Sequence, residues 1–237
     1  MVIYNPILFS YCFVECTGMD NILQVDSVEK SFGDQKLLSD IYLGCKTGQV
    51  VAVIGRNGSG KSTLFKIITG LEKSVHSFVS INDRPINSSS TISKFINYLP
   101  QHHFLPNQIR VKTILKLVNC NRLFNHKLIQ PFLNNKPKDL SGGQLRLIEV
   151  LITIYQPKAF TILDEPFNGL SPLVIDEICL SINEMKAHKG FILSDHRYED
   201  VLKVSDRLFY LNNRHLKEIK SKKELKGLSY LPDYLTN

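Results

Sequence analysis

The chain has 237 residues, 43% of them hydrophobic and 22% charged, the proportions of an ordinary globular protein with one sizeable domain or a domain carrying a small insertion. No uncharged run reaches the roughly 18 apolar residues that a membrane-spanning helix needs. The longest, residues 1–14, is broken by Asn5, Pro6 and Ser10, and no basic residue precedes Lys30 to open a secretory leader. The expectation is a cytosolic protein, in which the five dispersed cysteines (Cys12, Cys16, Cys45, Cys120, Cys179) form no C-x-x-C pair and are reduced packing residues rather than metal ligands. The formal charge is +7, and residues 101–141 hold seven basic side chains (Arg110, Lys112, Lys116, Arg122, Lys127, Lys136, Lys138) against the single acid Asp139. That excess reads either as a solvated helical face or as a surface for acidic protein, anionic lipid or nucleic acid.

Residues 1–18 are apolar and aromatic without strand alternation or helix caps, which suggests that translation begins at Met19. Residues 22–28 then alternate like a strand. Val50–Ile54 is an unbroken apolar run rich in β-branched residues, as a parallel strand buried on both faces demands. After Gly60, residues Leu64, Ile67, Ile68 and Leu71 recur at the spacing of one helical face. A short strand at 78–81 with the turn Asn82-Asp83 follows, then the apolar strand Ile96–Leu99. Residues 102–139 carry apolar residues at helical spacing (Ile114, Leu117, Val118), broken by Pro131 and Pro137, and read as part of a small helical insertion. A helix after Gly143, a strand at 159–163, a helix starting near Pro172, the strand Gly190–Ser194 and a final strand at 207–211 complete the pattern. The lysine-rich stretch after Lys217 reads as a solvated helix. Repeated strand–helix units imply an α/β fold with a mainly parallel sheet covered on both faces.

Three motifs carry chemistry. Residues 55–62 (Gly55, Arg56, Asn57, Gly58, Ser59, Gly60, Lys61, Ser62) fit G-x-x-x-x-G-K-[ST] between a strand and a helix, the context this phosphate loop requires. Its glycines let backbone N–H groups approach phosphate oxygens, the helix adds its positive N-terminal end, Lys61 neutralises β- and γ-phosphates, and Ser62 offers a hydroxyl to Mg²⁺. Residues 160–165 form an apolar strand ending in Asp164, placed to hold Mg²⁺, and Glu165, placed to activate water. Alone, such a pair would be an ordinary surface acid pair at a strand end. Residues 140–144 (Leu140, Ser141, Gly142, Gly143, Gln144) read as a helix start with Ser141 as cap.

Together and in this order, the three motifs closely resemble the nucleotide-binding subunits of ATP-binding cassette (ABC) transporters, over residues 22–213. The resemblance implies a P-loop NTPase core, an N-terminal antiparallel β subdomain and a small helical subdomain inserted at about 102–155, within one ATP-binding domain over 19–237. It implies ATP and Mg²⁺ as ligands, adds Thr63 to the phosphate contacts, and has Ser141, Gly142, Gly143 and Gln144 meet the ATP held by an opposite protomer. It further implies that Gln101 touches Mg²⁺ or the attacking water, that His196 contacts the γ-phosphate, and that adenine stacks on Phe32. On pattern alone, Gln101 and His196 would mean little and Phe32 would be core or surface. Ser171, where many relatives have aspartate, and an acid before the histidine (Asp195-His196) resemble the branched-chain amino-acid importer and lipopolysaccharide-export subgroups.

The implied function is an ATP hydrolase that powers a transporter with separate membrane-spanning subunits. It would work as a head-to-tail pair of copies and sit at the inner membrane face through those partners. The alternative is a soluble, non-transporting relative of the iron–sulphur assembly type, with a nucleic-acid-associated member further behind.

Overall fold

A computed structural model describes residues 20–86, 88–220 and 224. The reading of residues 1–18 and most of that of the lysine-rich tail lie outside the described residues. The run 22–28 belongs to a longer strand, β1 (Ile22–Phe32), which turns through Gly33-Asp34 into β2 (Gln35–Lys46). This second strand was not expected from the sequence, although Leu38, Ile41, Leu43 and Cys45 are all buried. With β4 (His76–Ile81) and β5 (Arg84–Pro85) these strands form an antiparallel sheet ordered β2-β1-β4-β5. Asn82 and Asp83, at φ 52° and 60°, join β4 to β5 in the left-handed geometry that hairpin turns favour.

The second sheet is mainly parallel, ordered β10-β9-β3-β8-β7-β6. It contains β3 (Val50–Ile54), β6 (Ile96–Leu99), β7 (Phe160–Asp164), β8 (Gly190–Ser194), β9 (Arg207–Asn212) and β10 (His215–Ile219). The continuous apolar runs are explained by two cores, one on each face. Val50, Ala52 and Ile54 pack into the core beneath the helices of the C-terminal half, while Val51 and Val53 pack with the antiparallel sheet and α1 (Lys61–Ile68). The strand at 207–211 is not the last one. It continues through Asn213-Arg214 into the antiparallel β10, so the first residues after Lys217, Glu218 and Ile219, lie in a strand and not in a helix.

Further helices are α2 (Ser89–Phe95), α3 (Val111–Leu117), α4 (Gly142–Tyr155), α5 (Pro172–Lys186) and α6 (Tyr198–Val204). The sequence reading missed α2 and α6, each only seven residues long and thus too short for helical periodicity to declare itself. Helix α1 ends at Ile68, leaving Leu71 63% exposed rather than on the helix's apolar face. Between α3 and α4 the chain makes three short 3₁₀ turns (Asn121–Asn125, Gln130–Phe132, Pro137–Asp139), and a proline stands within the first two positions of each of the last two. Part of the basic excess here is neutralised across the fold. Arg122 and Lys127 pair with Glu184 and Glu177 of α5 at 2.8 and 2.7 Å. Cys45, Cys120 and Cys179 are buried free thiols, and burial raises each of their pKa values, as expected of packing residues.

Where β8 begins, it packs closely against β2 of the antiparallel sheet. Lys189 is buried there and donates to the carbonyls of Ile154 and Gln156 at the end of α4, and burial lowers its pKa to about 7. A Cβ on the next residue, Gly190, would lie 2.7 Å from the Lys46 carbonyl oxygen and 2.8 Å from Cys45 Sγ. Gly190→Ala is therefore expected to destabilise the fold by about 1–3 kcal/mol through overpacking. Urea unfolding measures this, and an unchanged midpoint would contradict the close approach.

Candidate active site

The strands β3, β6, β7 and β8 run parallel and end at one edge of the sheet, the edge where open α/β folds gather ligands. Beyond β3 lie residues 55–62, beyond β6 lies Gln101, at the end of β7 Asp164 and Glu165, and beyond β8 Asp195 and His196. Register pairs Leu99 with Leu163 and Asp164 with Ser194, so the last three groups start from neighbouring strand ends.

The glycine loop owes its shape to backbone that side chains would obstruct. Gly58 and Gly60 have φ of 77° and 107°, and a Cβ on Gly55 would lie 2.5 Å from the Leu211 carbonyl oxygen. The loop runs straight into α1, whose first N–H groups have no acceptor inside the helix. Lys61 folds back over the loop and donates to the carbonyls of Gly55 at 2.7 Å and Arg56 at 3.0 Å. Burial lowers its pKa, opposed by Glu165 and Asp164. Ser59 Oγ, inside the loop, is buried without a hydrogen-bond partner among the described residues. A phosphate oxygen would satisfy it.

One oxygen of Glu165, Oε1, receives two donors. Gln101 Nε2 reaches it at 3.0 Å, and His196 Nε2, which donates in the tautomer that carries its proton there, lies at 2.7 Å. Gln101 Nε2 also lies 3.0 Å from Ser62 Oγ. Glu165 has φ 52°, a left-handed conformation that costs a non-glycine residue about 1–3 kcal/mol, and its N–H is tied to the Ser194 carbonyl at 2.7 Å. Beside it Asp164, 1% exposed, accepts the Tyr98 hydroxyl at 3.2 Å. Burial raises the Asp164 pKa, while hydrogen bonds from Ser62 and Tyr98 work against the rise.

The structure brings Asn57, Gly58, Gly60, Lys61, Ser62, Thr63, Gln101, Glu165 and His196 together around one cavity of about 440 Å³. A larger depression of about 640 Å³ between the antiparallel sheet and the β9–β10 edge of the other sheet, lined by Tyr42, Phe78 and Arg207, contains none of these groups. Ser141, Gly142, Gly143 and Gln144 do not line the 440 Å³ cavity. They open α4 instead, where Ser141 and Gln144 close a reciprocal capping box. A Cβ on Gly143 would lie 2.9 Å from the Gly169 carbonyl oxygen, so this turn rests on the loop that follows Glu165. Phe32 is also absent from the cavity lining. It is 55% exposed, with Lys30 Nζ 4.5 Å from its ring centroid, which rules out the core reading.

Several residues near the site were given no structural role by the sequence reading. Asp195 accepts the N–H groups of Phe167 and Arg197 at 2.8 and 3.0 Å, joining the loop after Glu165 to the histidine turn. Arg146 and Glu149 of α4 are buried and reach backbone groups around Gln101 and Glu165. The visible signal was two charges on a helix otherwise lined by Leu145, Leu147, Ile148 and Val150. Among the described residues no group of three His, Cys, Asp or Glu side chains is arranged for a metal ion. The donor set present, one hydroxyl, one amide and one desolvated carboxylate, fits a hard cation that takes its other ligands from phosphate and water.

A family model described as ABC transporter matches residues 38–168. The spermidine/putrescine import ATP-binding protein PotA of Bacillus cereus is 27% identical over 222 residues, which cover 87% of this chain and 68% of that protein. The lipopolysaccharide export system ATP-binding protein LptB of Acidithiobacillus ferridurans is 27% identical over 212 residues, covering 82% and 88%. A solved ATP binding subunit of an ABC transporter superposes with a TM-score of 0.79 at 26% identity, covering 90% of this chain and 97% of that one.

The burial of Asp164 has a measurable consequence. Its folded-state pKa lies above the unfolded one, so its charge weakens the fold at high pH and the penalty disappears as pH falls through the raised value. Asp164→Asn keeps an acceptor for Tyr98 and removes that charge. It is expected to raise the unfolding midpoint of the nucleotide-free protein at pH 8, by about 2–4 °C per kcal/mol relieved, with a gain that shrinks toward pH 4. Scanning calorimetry across that range checks both the sign and the trend.

Proposed function

The chain belongs to the ABC transporter family, and from that premise we propose that it is the ATP-binding and ATP-hydrolysing subunit that powers a transporter with separate membrane-spanning subunits. The observation that carries the reading is the convergence of Gln101 and His196 on one oxygen of Glu165, at the rim of a phosphate-loop cavity. Residues 19–237 form the ATP-binding domain, with the helical part at about 102–155 as the insertion that meets the membrane subunits.

Each role follows from chemistry. The glycine loop with Ser59 and Thr63 cradles phosphates, and Lys61 exchanges its bonds to the Gly55 and Arg56 carbonyls for bonds to the β- and γ-phosphates. Glu165 accepts a proton from the attacking water, and His196 steadies the carboxylate and reaches toward the γ-phosphate. Phe32, exposed at the end of β1, offers a ring face for adenine. Ser62, Gln101 and Asp164 would hold Mg²⁺, which supplies positive charge to the phosphates when bound. With Gln101 already in contact with both Ser62 and Glu165, a change at the phosphates is felt at once by the segment that leads into the helical insertion.

Residues 141–144 lie outside the cavity of a single chain, which supports a site completed by a second copy. A second copy placed head to tail would bring the N-terminus of its fourteen-residue α4, with the Ser141 hydroxyl and two glycines, to the γ-phosphate. ATP then closes the pair and hydrolysis reopens it. Among the described residues no helix is long and apolar enough to cross a membrane. The chain reaches the inner face of the membrane through its partner subunits.

Glu165→Gln retains the size of the side chain and removes the base. The variant is expected to accumulate as a dimer with ATP and Mg²⁺, and not with ADP, in size exclusion with light scattering at high protein concentration and low salt. A variant that binds ATP tightly yet stays monomeric would contradict the two-copy site.

A further inference from the structure

We propose that Arg146 is a positioning residue for hydrolysis, clamping the backbone on both sides of the Gln101–Glu165 contact so that the carboxylate faces the attacking water. This rests on the reading of Glu165 as the base. Arg146 lies on α4, 3% exposed, and burial lowers its pKa against the pull of neighbouring carboxylates. A buried guanidinium is usually compensated by a carboxylate at contact distance. Here the nearest one, Glu149 Oε2, stands off at 3.9 Å and is itself engaged by His103 at 2.8 Å. The other Glu149 oxygen accepts the N–H groups of Phe104 and Leu105.

The terminal Nη donors of Arg146 go to main-chain carbonyls instead, while its Nε is buried without a hydrogen-bond partner among the described residues. Nη1 reaches Pro100 O at 2.7 Å, and Nη2 reaches Asp164 O at 2.7 Å and Glu165 O at 2.9 Å. Pro100 immediately precedes Gln101, so the guanidinium bridges the two chain segments whose side chains meet at Glu165 Oε1. Its planar fork sets the spacing between them, which a lysine ammonium on a flexible stem cannot do. The strained φ of Glu165 needs holding from more than one side. Ser194 O holds the N–H side of that residue and Arg146 the carbonyl side. Arg146 is absent from the lining of the phosphate-loop cavity, so its effect falls on geometry and not on nucleotide affinity.

The test is a double-substitution cycle on the full chain, with Arg146→Lys, Gln101→Ala and the pair, following single-turnover cleavage of the ATP γ-phosphate. Arg146→Lys is expected to slow cleavage by ~10- to 100-fold, the scale of a misplacement near 1 Å, with the dissociation constant for a fluorescent ATP analogue unchanged. The double variant is expected to cleave little more slowly than the worse single one, because both act on the same contact. Losses that multiply, a fall in nucleotide affinity, or wild-type cleavage by Arg146→Lys would each overturn the proposal. If Arg146→Lys does not fold, Arg146→Gln removes the buried charge, keeps one amide donor and enters the same cycle. A wild-type chain that cannot cleave ATP would instead overturn the functional reading itself, which separates the two failures.

Discussion

A single carboxylate oxygen, Glu165 Oε1, receives an amide from Gln101 and an imidazole from His196, and much of the architecture serves that convergence. The three side chains come from segments more than thirty residues apart. Their meeting requires three parallel strands in fixed register, and that register requires each strand to be buried on both faces. The two cores exist because one face of the sheet is covered by helices and the other by the antiparallel sheet and α1. Loosening either core moves the strand ends against one another. The pressure toward small, exact packing at Gly190, where the sheets nearly touch, follows from the same demand.

The site holds itself together before any nucleotide arrives. Lys61 is occupied by the carbonyls of its own loop, Ser62 by Gln101, and Glu165 by two neighbours. Binding is thus an exchange of bonds and not the filling of empty partners, with Ser59 Oγ as an exception that gains a bond outright. Such an exchange couples ligand to loop position. On the proposed reading, phosphates that claim Lys61 and Ser62 would alter the company of Gln101, the residue at the start of the segment that leads to α3. Helix α4 joins the same network from the other side. Its N-terminus carries the Ser141 cap and the Gly143 contact with Gly169, and its next two turns carry Arg146 and Glu149.

The sequence made the parallel sheet legible because long apolar runs between glycine-rich turns have one physical solution. β3, β7 and β8 lie where that pattern placed them, and the phosphate loop sits between strand and helix as its motif requires. Short elements were not legible. The helices α2 and α6 span two turns, and β10 is a five-residue hairpin return in which Leu216 and Ile219 are the apolar residues and none is fully buried. β2 was overlooked because the irregularity at Asp40, with φ 53°, separates Leu38 from the alternating run Ile41, Leu43 and Cys45. At the candidate site, the residues singled out in advance were those carried by a motif or by the resemblance. Arg146, Glu149 and Tyr98 were not among them, because they act through backbone carbonyls, backbone N–H groups and a buried neighbour. Partners of that kind leave no spacing rule in a sequence.

The central claim is that each active site is shared between two copies, with residues 55–62 of one facing residues 141–144 of the other. Mixing two inactive proteins tests it most directly. Lys61→Ala loses the phosphate cation and keeps Ser141, while Ser141→Arg blocks the approach to the opposite γ-phosphate and keeps Lys61. A mixed pair regains one complete site, so the account predicts that ATP hydrolysis reappears on mixing and rises with the product of the two concentrations. Hydrolysis that never exceeds the sum of the separate proteins, with both shown to be folded, would contradict it.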